Sequence, residues 1–261
     1  MQLIDSHCHI DFDVFDSDRD QVLARAAKAG VKRLVNPSTG MENSRRVFEL
    51  AKRYANIYAA VGVHPYDAPQ VDKDSLAELK ALSADPKVVA IGEIGLDYYR
   101  DRAPRSEQIR AFEAQLSLAK SLNLPVIIHQ REAAVDTMAI LRQWAGQGEH
   151  PGLALHAFSG DEAMVAEAAS LGFFMGIGGP ITFKNAKNYP HIVAKIPLKR
   201  LLVETDAPFL SPHPFRGKRN EPARVALVAQ KLAQLFNLDI DELAEQVCRN
   251  TEILFHLPAA A

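Results

Sequence analysis

Cysteine, long apolar runs and an excess of one charge are all scarce in this chain of 261 residues. Cys8 and Cys248 are its only cysteines, which excludes a disulfide framework and suits a reducing compartment, so we expect a cytoplasmic protein. No run of about 18 apolar residues predicts a membrane span, and no basic segment leads into an apolar one as in a signal peptide. A net charge of −2 argues against a protein that coats nucleic acid through overall charge, but not against a local basic site.

Linkers and a phosphate-binding glycine fingerprint are absent as well. No Gly-x-Gly-x-x-Gly motif follows the first predicted strand. No stretch is low in complexity or rich in Gly and Ser, and the proline-dense segment 208–222 follows the last predicted strand, where a functional loop is expected. We therefore predict a single domain over residues 1–261.

What the sequence does contain is a regular alternation of short apolar runs with helical patterns. The predicted strands are residues 1–4, 33–36, 57–61, 88–91, 125–128, 153–155, 173–176 and 201–203. Helical spacing covers residues 17–29, 41–54, 75–84, 105–121, 132–144, 161–171, 222–236 and 240–255, and 184–195 is short helix or irregular. Eight such repeats predict an α/β fold, a (β/α)₈ TIM barrel. A doubly wound open sheet is the alternative.

Side chains that bind metals follow most of the predicted strands. They are His7, His9, His64, Glu93, His129, His156, Glu204 and Asp206. The carboxyl ends of parallel barrel strands gather at one face, so these residues are expected to converge. Imidazoles with carboxylates suit zinc or another borderline divalent ion. The set is too large for one four-coordinate site with an open position, and two ions bridged by a carboxylate would use it economically to activate a water.

The alternation of side chains along the first strand separates its residues into two faces. Asp5, His7 and His9 share one face, on which Asp5 is expected to be a hydrogen-bonding support and not a ligand. Cys8 points to the other face, where we expect a small buried apolar side chain.

Other residues near the strand ends are candidates for binding substrate. His64 is expected to donate to a substrate phosphate, with a loop residue packed on Pro65 and Tyr66 as the alternative. Arg131 follows His129 by two residues, and arginine binds phosphate oxygens through two hydrogen bonds. Some of the loop cations are expected to join it, and nearby aromatic rings are candidates for stacking on bases. These residues are Arg100, Arg102, Arg105, Lys184, Arg216, Lys218, Arg219, Tyr98, Tyr99 and Phe158.

Six short segments resemble the signature segments of the TatD family of metal-dependent deoxyribonucleases, within the amidohydrolase-like superfamily. They are His7-Cys8-His9, Gly62-Val63-His64-Pro65, Gly92-Glu93-Ile94-Gly95-Leu96-Asp97, His129-Gln130-Arg131-Glu132-Ala133, His156-Ala157-Phe158-Ser159-Gly160 and Glu204-Thr205-Asp206-Ala207-Pro208. They occur in the family's order over nearly the whole chain. The set is specific for the family and much less specific for the substrate.

The resemblance implies two divalent metal ions, which are expected to be zinc, manganese or magnesium. The first would be held by His7, His9 and Asp206, the second by His129 and His156, and Glu93 would bridge them. A glutamate at this position, where many related hydrolases have a carbamylated lysine, favours the TatD branch. Imidazole-rich ligation favours zinc or manganese over magnesium.

Two carboxylates near the end of the chain have further expected roles. Asp206 is expected to take the proton of the attacking water, so Asp206 and Glu93 are the predicted catalytic residues. Glu204 has the same strand parity as Asp206 and is expected to orient a ligand histidine from behind, with a plain salt bridge as the alternative.

We predict a metal-dependent hydrolase of ester bonds, a deoxyribonuclease acting on DNA, preferably single-stranded, as a monomer. One alternative is a hydrolase of a small phosphate ester, amide or lactone on the same site. Another is a nucleic-acid-binding scaffold without turnover. A shallow basic site favours nucleic acid, and a deep apolar pocket favours a small substrate.

Overall fold

The computed structural model describes residues 1–100 and 102–258, which form two compact units. Unit 1 contains Met1–Asn36, Ala157–Ser170 and the described part of Phe174–Ala261, and unit 2 contains Pro37–His156 and Leu171–Phe173. The two units are interleaved in the sequence: the three segments of unit 1 are separated by the two segments of unit 2. In the described part of the chain, no helix has the length and apolar character needed to cross a membrane.

The described residues of unit 1 form four strands and five α-helices. The strands are β1 (Leu3–Asp5), β2 (Val31–Pro37, whose last residue begins unit 2), β7 (Phe174–Ile177) and β8 (Leu201–Val203). The helices are α1 (Arg19–Lys28), α6 (Glu162–Ser170), α7 (Tyr189–Val193), α8 (Val225–Phe236) and α9 (Ile240–Phe255).

In unit 2, the part of the chain that the structure describes forms four strands and four α-helices. The strands are β3 (Ile57–Val61), β4 (Val88–Asp97), β5 (Val126–Arg131) and β6 (Leu153–Leu155). The helices are α2 (Met41–Arg53), α3 (Lys73–Leu82), α4 (Arg105–Leu122) and α5 (Ala134–Gly146).

All strand pairs described within the units are parallel, as helical crossovers require. The sheet has eight strands in chain order, β1 to β8. In unit 1 the backbone N–H of Ser6, directly after β1, donates to the carbonyl of Val203 at the end of β8 (3.0 Å), so the last strand is bonded to the segment that follows the first. Eight parallel strands alternating with helices confirm the predicted (β/α)₈ barrel.

Helix ends follow local sequence signals. α3 begins after Asp72, whose carboxylate accepts from the N–H of Ser75 (2.8 Å) while the Ser75 hydroxyl accepts from the N–H of Asp72 (2.8 Å), a capping box. α4 and α8 end at Asn123 and Asn237, both in the left-handed conformation that asparagine tolerates. These ends lie within a few residues of the predicted ones.

Strands β3, β6 and β8 match the predicted bounds, but β4 and β5 are longer than predicted. β4 continues through Gly92 and Gly95 to Asp97, and every residue in it is buried. The two glycines resemble a turn signal, yet they allow close packing on β5. A Cβ on Gly95 would lie 2.0 Å from the carbonyl oxygen of His129, and one on Gly92 would lie 2.7 Å from Cβ of Ile127. Glu93 is therefore inside a strand, not in a loop after it.

Candidate functional site

His7, His9 and Asp206 lie together in unit 1, and we call them cluster A. Nε2 of His7 and Nε2 of His9 are 3.2 Å apart, and each is 3.7 Å from Oδ1 of Asp206. Both imidazoles are buried. Three donor atoms of types that bind divalent metals therefore converge within a few ångströms.

Backbone hydrogen bonds between the ends of β1 and β8 hold cluster A together. The N–H of Asp206 donates to the carbonyl of His7 (2.9 Å), and the N–H of His9 donates to the carbonyl of Ala207 (2.8 Å). The chain segments that carry the three side chains are thus tied by main-chain groups that any sequence supplies.

Buried polar side chains fix the backbone on both sides of Asp206, which has a left-handed φ of 54°. Asp5 accepts from the hydroxyl (2.6 Å) and the N–H (2.9 Å) of Thr205, which confirms its expected supporting role. Burial raises the pKa of Asp5 to about 8, although the bonds from Thr205 act against this rise. Nδ2 of Asn220 donates to the carbonyls of Thr205 (2.9 Å) and Phe209 (2.7 Å), a role that the sequence did not reveal.

Glu93, His129 and His156 lie together in unit 2, and we call them cluster B. Nδ1 of His129 and Nε2 of His156 each lie 2.8 Å from Oε1 of Glu93, and these two nitrogens are 3.3 Å apart. Glu93 and His156 are buried, and His129 is half-buried. One carboxylate oxygen thus faces two imidazole nitrogens.

Asp97 supports cluster B from behind, and the sequence analysis assigned it no role. Its carboxylate accepts from Nε2 of His129 (2.9 Å), from the hydroxyl of Tyr66 (3.0 Å) and from the backbone N–H groups of Tyr99 (3.0 Å) and Arg100 (2.9 Å). Burial acts to raise the pKa of Asp97, but these hydrogen bonds, above all that from His129, lower it below its ordinary value. A carboxylate four residues after Glu93 has the same strand parity, which was the available signal.

The donor set of cluster B requires positive charge. His129 lies between two carboxylates, with Nε2 toward Asp97 and Nδ1 toward Glu93. A neutral ring that donates from Nε2 presents a lone pair at Nδ1, 2.8 Å from a carboxylate oxygen, which is repulsive unless a proton or a metal cation lies between them. Burial lowers the pKa of His129, and the bonds to Asp97 and Glu93 outweigh this and raise it. These residues fit a divalent cation, and a carboxylate behind a ligand histidine is typical of such sites.

His64 lies beside cluster B in unit 2, with Nε2 3.7 Å from Oε1 of Glu93. Its Nδ1 accepts from the backbone N–H of Tyr66 (3.2 Å), so the neutral ring carries its proton on Nε2. Burial and the neighbouring His129 lower the pKa of His64 to about 3, which keeps the ring neutral. Its Nε2–H therefore faces the cluster as a hydrogen-bond donor.

Two glutamines on the buried face of α4 hold the strand ends that carry unit 2's polar residues. Gln115 pairs with both backbone groups of Val63, directly before His64 (2.7 and 3.0 Å). Gln108 pairs in the same way with Asp97 (2.8 and 3.1 Å). The signal was a pair of glutamines seven residues apart on a helix face where apolar residues are expected.

Glu204 is buried in unit 1 and supports the chain next to a cluster B ligand. Its Oε1 accepts from the N–H of Ala157 (2.6 Å), the residue that directly follows His156. Ala157 has a left-handed φ of 43°, so this bond stabilises a conformation that alanine rarely adopts. Gly176 leaves the room that Glu204 needs, because a Cβ there would lie 2.0 Å from Oε2 of Glu204.

Arginine side chains in unit 2 stack on tyrosine rings at the surface, and we call this group the Arg–Tyr surface. Their guanidinium carbons lie 3.9 to 5.7 Å from the ring centroids, and Arg131 over Tyr99 is the closest pair. The members are Tyr66, Tyr98, Tyr99, Arg100, Arg102, Arg105 and Arg131. Within residues 1–100 and 102–258, no carboxylate forms an ion pair with any of these four arginines.

The arginines of the last loop differ from those of this surface. Arg219 forms an ion pair with Asp18 (2.7 Å) and also donates to the carbonyl of Val14. Arg216 donates to Asn185 (3.1 Å) and lies over the ring of Phe183. Arg219 therefore fastens its loop to the start of α1, as a structural residue.

The two cysteines are both free. Cys8 is fully buried, as its strand parity predicted, and burial raises the pKa of its thiol well above the ordinary value. Burial also raises the pKa of Cys248 to about 11. Neither thiol is a thiolate at neutral pH.

Comparison with known proteins identifies one family. Residues 4–256 match the sequence model of the family described as TatD related DNase. An uncharacterized metal-dependent hydrolase, YabD of Bacillus subtilis, is 43% identical over 98% of this chain and 99% of its own length. The 3′-5′ ssDNA/RNA exonuclease TatD of Cronobacter turicensis is 39% identical, covering 92% of this chain and 93% of that protein.

A solved structure shows the same fold. The crystal structure of YjjV, a TatD homolog from Escherichia coli K12, superposes with a TM-score of 0.91 at 38% identity and covers 98% of both chains. One known type of barrel therefore accounts for 98% of the chain.

Proposed function

We propose that this chain, which belongs to the TatD related DNase family of metal-dependent hydrolases, cleaves phosphodiester bonds in DNA. The observation that carries the proposal is the pair of histidine–carboxylate clusters, together with the arginine-rich Arg–Tyr surface in unit 2. The clusters contain the metal-binding side chains that a metal-dependent hydrolase needs, and the Arg–Tyr surface suits a polyanionic substrate.

Clusters A and B would each hold a divalent cation. His7, His9 and Asp206 would hold one ion, and His129 and His156 the other, with Glu93 as the proposed bridging ligand. The convergence of imidazole nitrogens and carboxylate oxygens within each cluster supports these assignments. A bound divalent ion supplies Lewis acidity toward a phosphoryl oxygen and lowers the pKa of water. Zinc or manganese suits the imidazole-rich donor set.

The chain's own residues would divide the remaining work. Asp206 would accept the proton of the attacking water, because its carboxylate lies beside the imidazoles of His7 and His9 that would hold the same ion. His64 would donate from Nε2 to a phosphate oxygen, since backbone N–H donation to its Nδ1 fixes that tautomer. Glu204 would be a positioning residue that keeps Ala157, and with it the neighbouring His156, in place.

The Arg–Tyr surface favours a nucleic-acid substrate over a small ester. Arg131 and its neighbours combine guanidinium groups, which bind phosphates, with tyrosine rings, of which Tyr99 is exposed and would stack on a base. This combination suits a single strand, whose bases are unpaired. The name of the Cronobacter turicensis relative, an ssDNA/RNA exonuclease, points the same way.

The cellular setting is also part of the proposal. Two free thiols, Cys8 buried and Cys248 half-buried, are compatible with a reducing cytoplasm. We propose a monomer of one domain over residues 1–261, and size-exclusion chromatography with light scattering would measure its mass.

Hydrolysis of end-labelled single-stranded DNA tests the function. Purified protein would be incubated with manganese or magnesium, with a chelator as control. We expect metal-dependent shortening that the chelator stops, and a ladder that shows which end is attacked. Absence of cleavage by protein that still binds about two metals per chain would move the assignment to a small phosphate ester, amide or lactone. Equal DNA binding by metal-free protein, without cleavage, would support a scaffold without turnover.

A further inference from the structure

A small pocket in unit 1 lies directly beside cluster A. It has a volume of about 170 Å³, and Asp206 and Glu204 form part of its wall. The rest of the wall is mainly apolar, with Phe158, Pro180 and Leu210 among its members. We call it the apolar pocket. Because Asp206 also belongs to cluster A, a group in this pocket would lie next to whatever is bound at the cluster.

The volume of the apolar pocket suits a single ring. A cavity of roughly 150 Å³ with apolar walls takes up benzene, whereas sites for drug-sized ligands span roughly 300–1,000 Å³. A pyrimidine, or the six-membered part of a purine, would therefore fill it. Leu210 is 44% exposed at its edge, so the pocket is open to an entering group.

The charge of the wall excludes a phosphate from the pocket itself. The carboxylates of Glu204 and Asp206 repel an anion at short range. A neutral, planar part of a substrate is the group that fits, with its phosphate outside the pocket.

The polar groups of the wall are already hydrogen-bonded to one another. The hydroxyl of Tyr189 donates to the carbonyl of Phe158 (2.7 Å), and the N–H of Ala157 donates to Glu204 (2.6 Å). The other polar side chains of the wall are Ser159 at the surface and Asp206, which faces His7 and His9 of cluster A. Recognition of one base over another needs hydrogen bonds to its edge, and these walls leave few groups to make them.

We propose that the apolar pocket receives the base of the nucleotide whose phosphate lies at cluster A, and that it accepts pyrimidines and purines with little discrimination. This inference rests on the proposed function, because it assumes a nucleotide substrate. It adds that the affinity for the reacting nucleotide comes from apolar contact with the planar ring of its base, whichever base that is.

Binding of matched ligands tests the pocket without turnover. Calorimetry on the manganese-loaded protein would compare thymidine 5′-monophosphate with 2-deoxyribose 5-phosphate, which lacks the base. We expect the nucleotide to bind roughly tenfold more tightly, the scale of stacking one base on an aromatic wall. Deoxyadenosine 5′-monophosphate is expected to bind within about threefold of the thymidine nucleotide.

Variants connect that difference to the pocket. Ala186→Phe places a ring in the pocket and is expected to reduce the nucleotide's advantage to about twofold or less. Leu210→Ala, a change at an exposed position that leaves folding intact, removes part of the wall and is expected to reduce it several-fold. Ala194→Phe, on an exposed residue outside the pocket, is the matched control and should behave as the wild type.

The outcomes separate the pocket from the nuclease. If the protein cleaves DNA but binds thymidine 5′-monophosphate and 2-deoxyribose 5-phosphate equally well, the base-binding role of the pocket is overturned and the proposed function is kept. A base advantage that Ala186→Phe removes, in protein that cleaves no DNA, would keep the pocket and overturn the nuclease. Equal binding without cleavage would overturn both, and a base advantage that survives both pocket variants would overturn the pocket.

Discussion

Clusters A and B contain similar donor atoms but are built by different means. Main-chain hydrogen bonds hold the segments of both clusters, for example from the N–H of Asp206 to the carbonyl of His7 and from the N–H of His156 to the carbonyl of Ile128. The supporting side chains differ. Beside cluster A, Asp5 and Asn220 bond to the segment that carries Asp206, whereas in cluster B the carboxylate of Asp97 bonds directly to the ring of His129. The two clusters should therefore respond differently to mutation.

The strongest test removes the central carboxylate of each cluster. Glu93→Ala and Asp206→Ala are both expected to abolish turnover while the fold remains intact, because each removes a predicted metal ligand and Asp206 also the proton acceptor. Hydrolysis rates on metal-loaded protein, with circular dichroism as the folding control, would measure this. Substantial activity in both variants would contradict the mechanism based on two metals.

Asp97→Asn should weaken cluster B and leave cluster A unchanged. Loss of a carboxylate behind a metal-binding histidine typically costs roughly 10–100-fold in metal affinity. Dialysis followed by elemental analysis should find about two metals per wild-type chain and about one per variant chain under limiting metal. Asp136→Asn is the matched control, because Asp136 also accepts from a tyrosine hydroxyl (2.7 Å from Tyr98) but contacts no predicted ligand. Loss of both metals from Asp97→Asn would remove the distinction between the clusters.

Thr205→Val should act on the stability of unit 1 more than on selective metal affinity. The change leaves the buried Asp5 without its hydroxyl partner, which costs about 1–3 kcal/mol in the free energy of unfolding. Urea denaturation would measure the cost. Thr251→Val is the control, since its buried hydroxyl donates only to a helical carbonyl, that of Val247 (2.7 Å), and a change below about 1 kcal/mol is expected. Equal costs would show that the Asp5–Thr205 pair has no special weight.

The smallest effect of a substitution is expected at the Arg–Tyr surface. Its member Arg131 follows His129 of cluster B by two residues. Arg131→Gln should weaken binding of single-stranded DNA and reduce the slope of log affinity against log salt by roughly 0.7, the value for one lost phosphate contact. Fluorescence anisotropy at several salt concentrations would measure it. Arg110→Gln is the control, because Arg110 is occupied by Glu107 (2.7 Å) and by the carbonyl of Val71. An unchanged slope for Arg131→Gln would assign that residue to packing on Tyr99.

Local signals predicted the fold well because the strand and helix of each repeat are marked by residues close together in the sequence. The bounds of β3, β6, β8 and α9 agree with the structure, since apolar runs and caps are properties of neighbouring residues. β4 was predicted too short, because Gly92 and Gly95 have the composition of a turn. Their actual use, close approach to β5, depends on a strand more than thirty residues away.

The sequence by itself determined the barrel class and the residue types available to bind metal, because these follow from spacing along the chain, and six signature segments carried the resemblance to the family. Strand parity also indicated Asp5 and Glu204 as supporting residues. Only the tertiary structure decided which groups the supporting side chains contact: Asp97 accepts from His129, Asn220 donates to the carbonyl of Thr205, and Glu204 accepts from the N–H of Ala157. No local pattern predicts these partners, because a buried polar side chain acquires its role from the group that the fold brings to it.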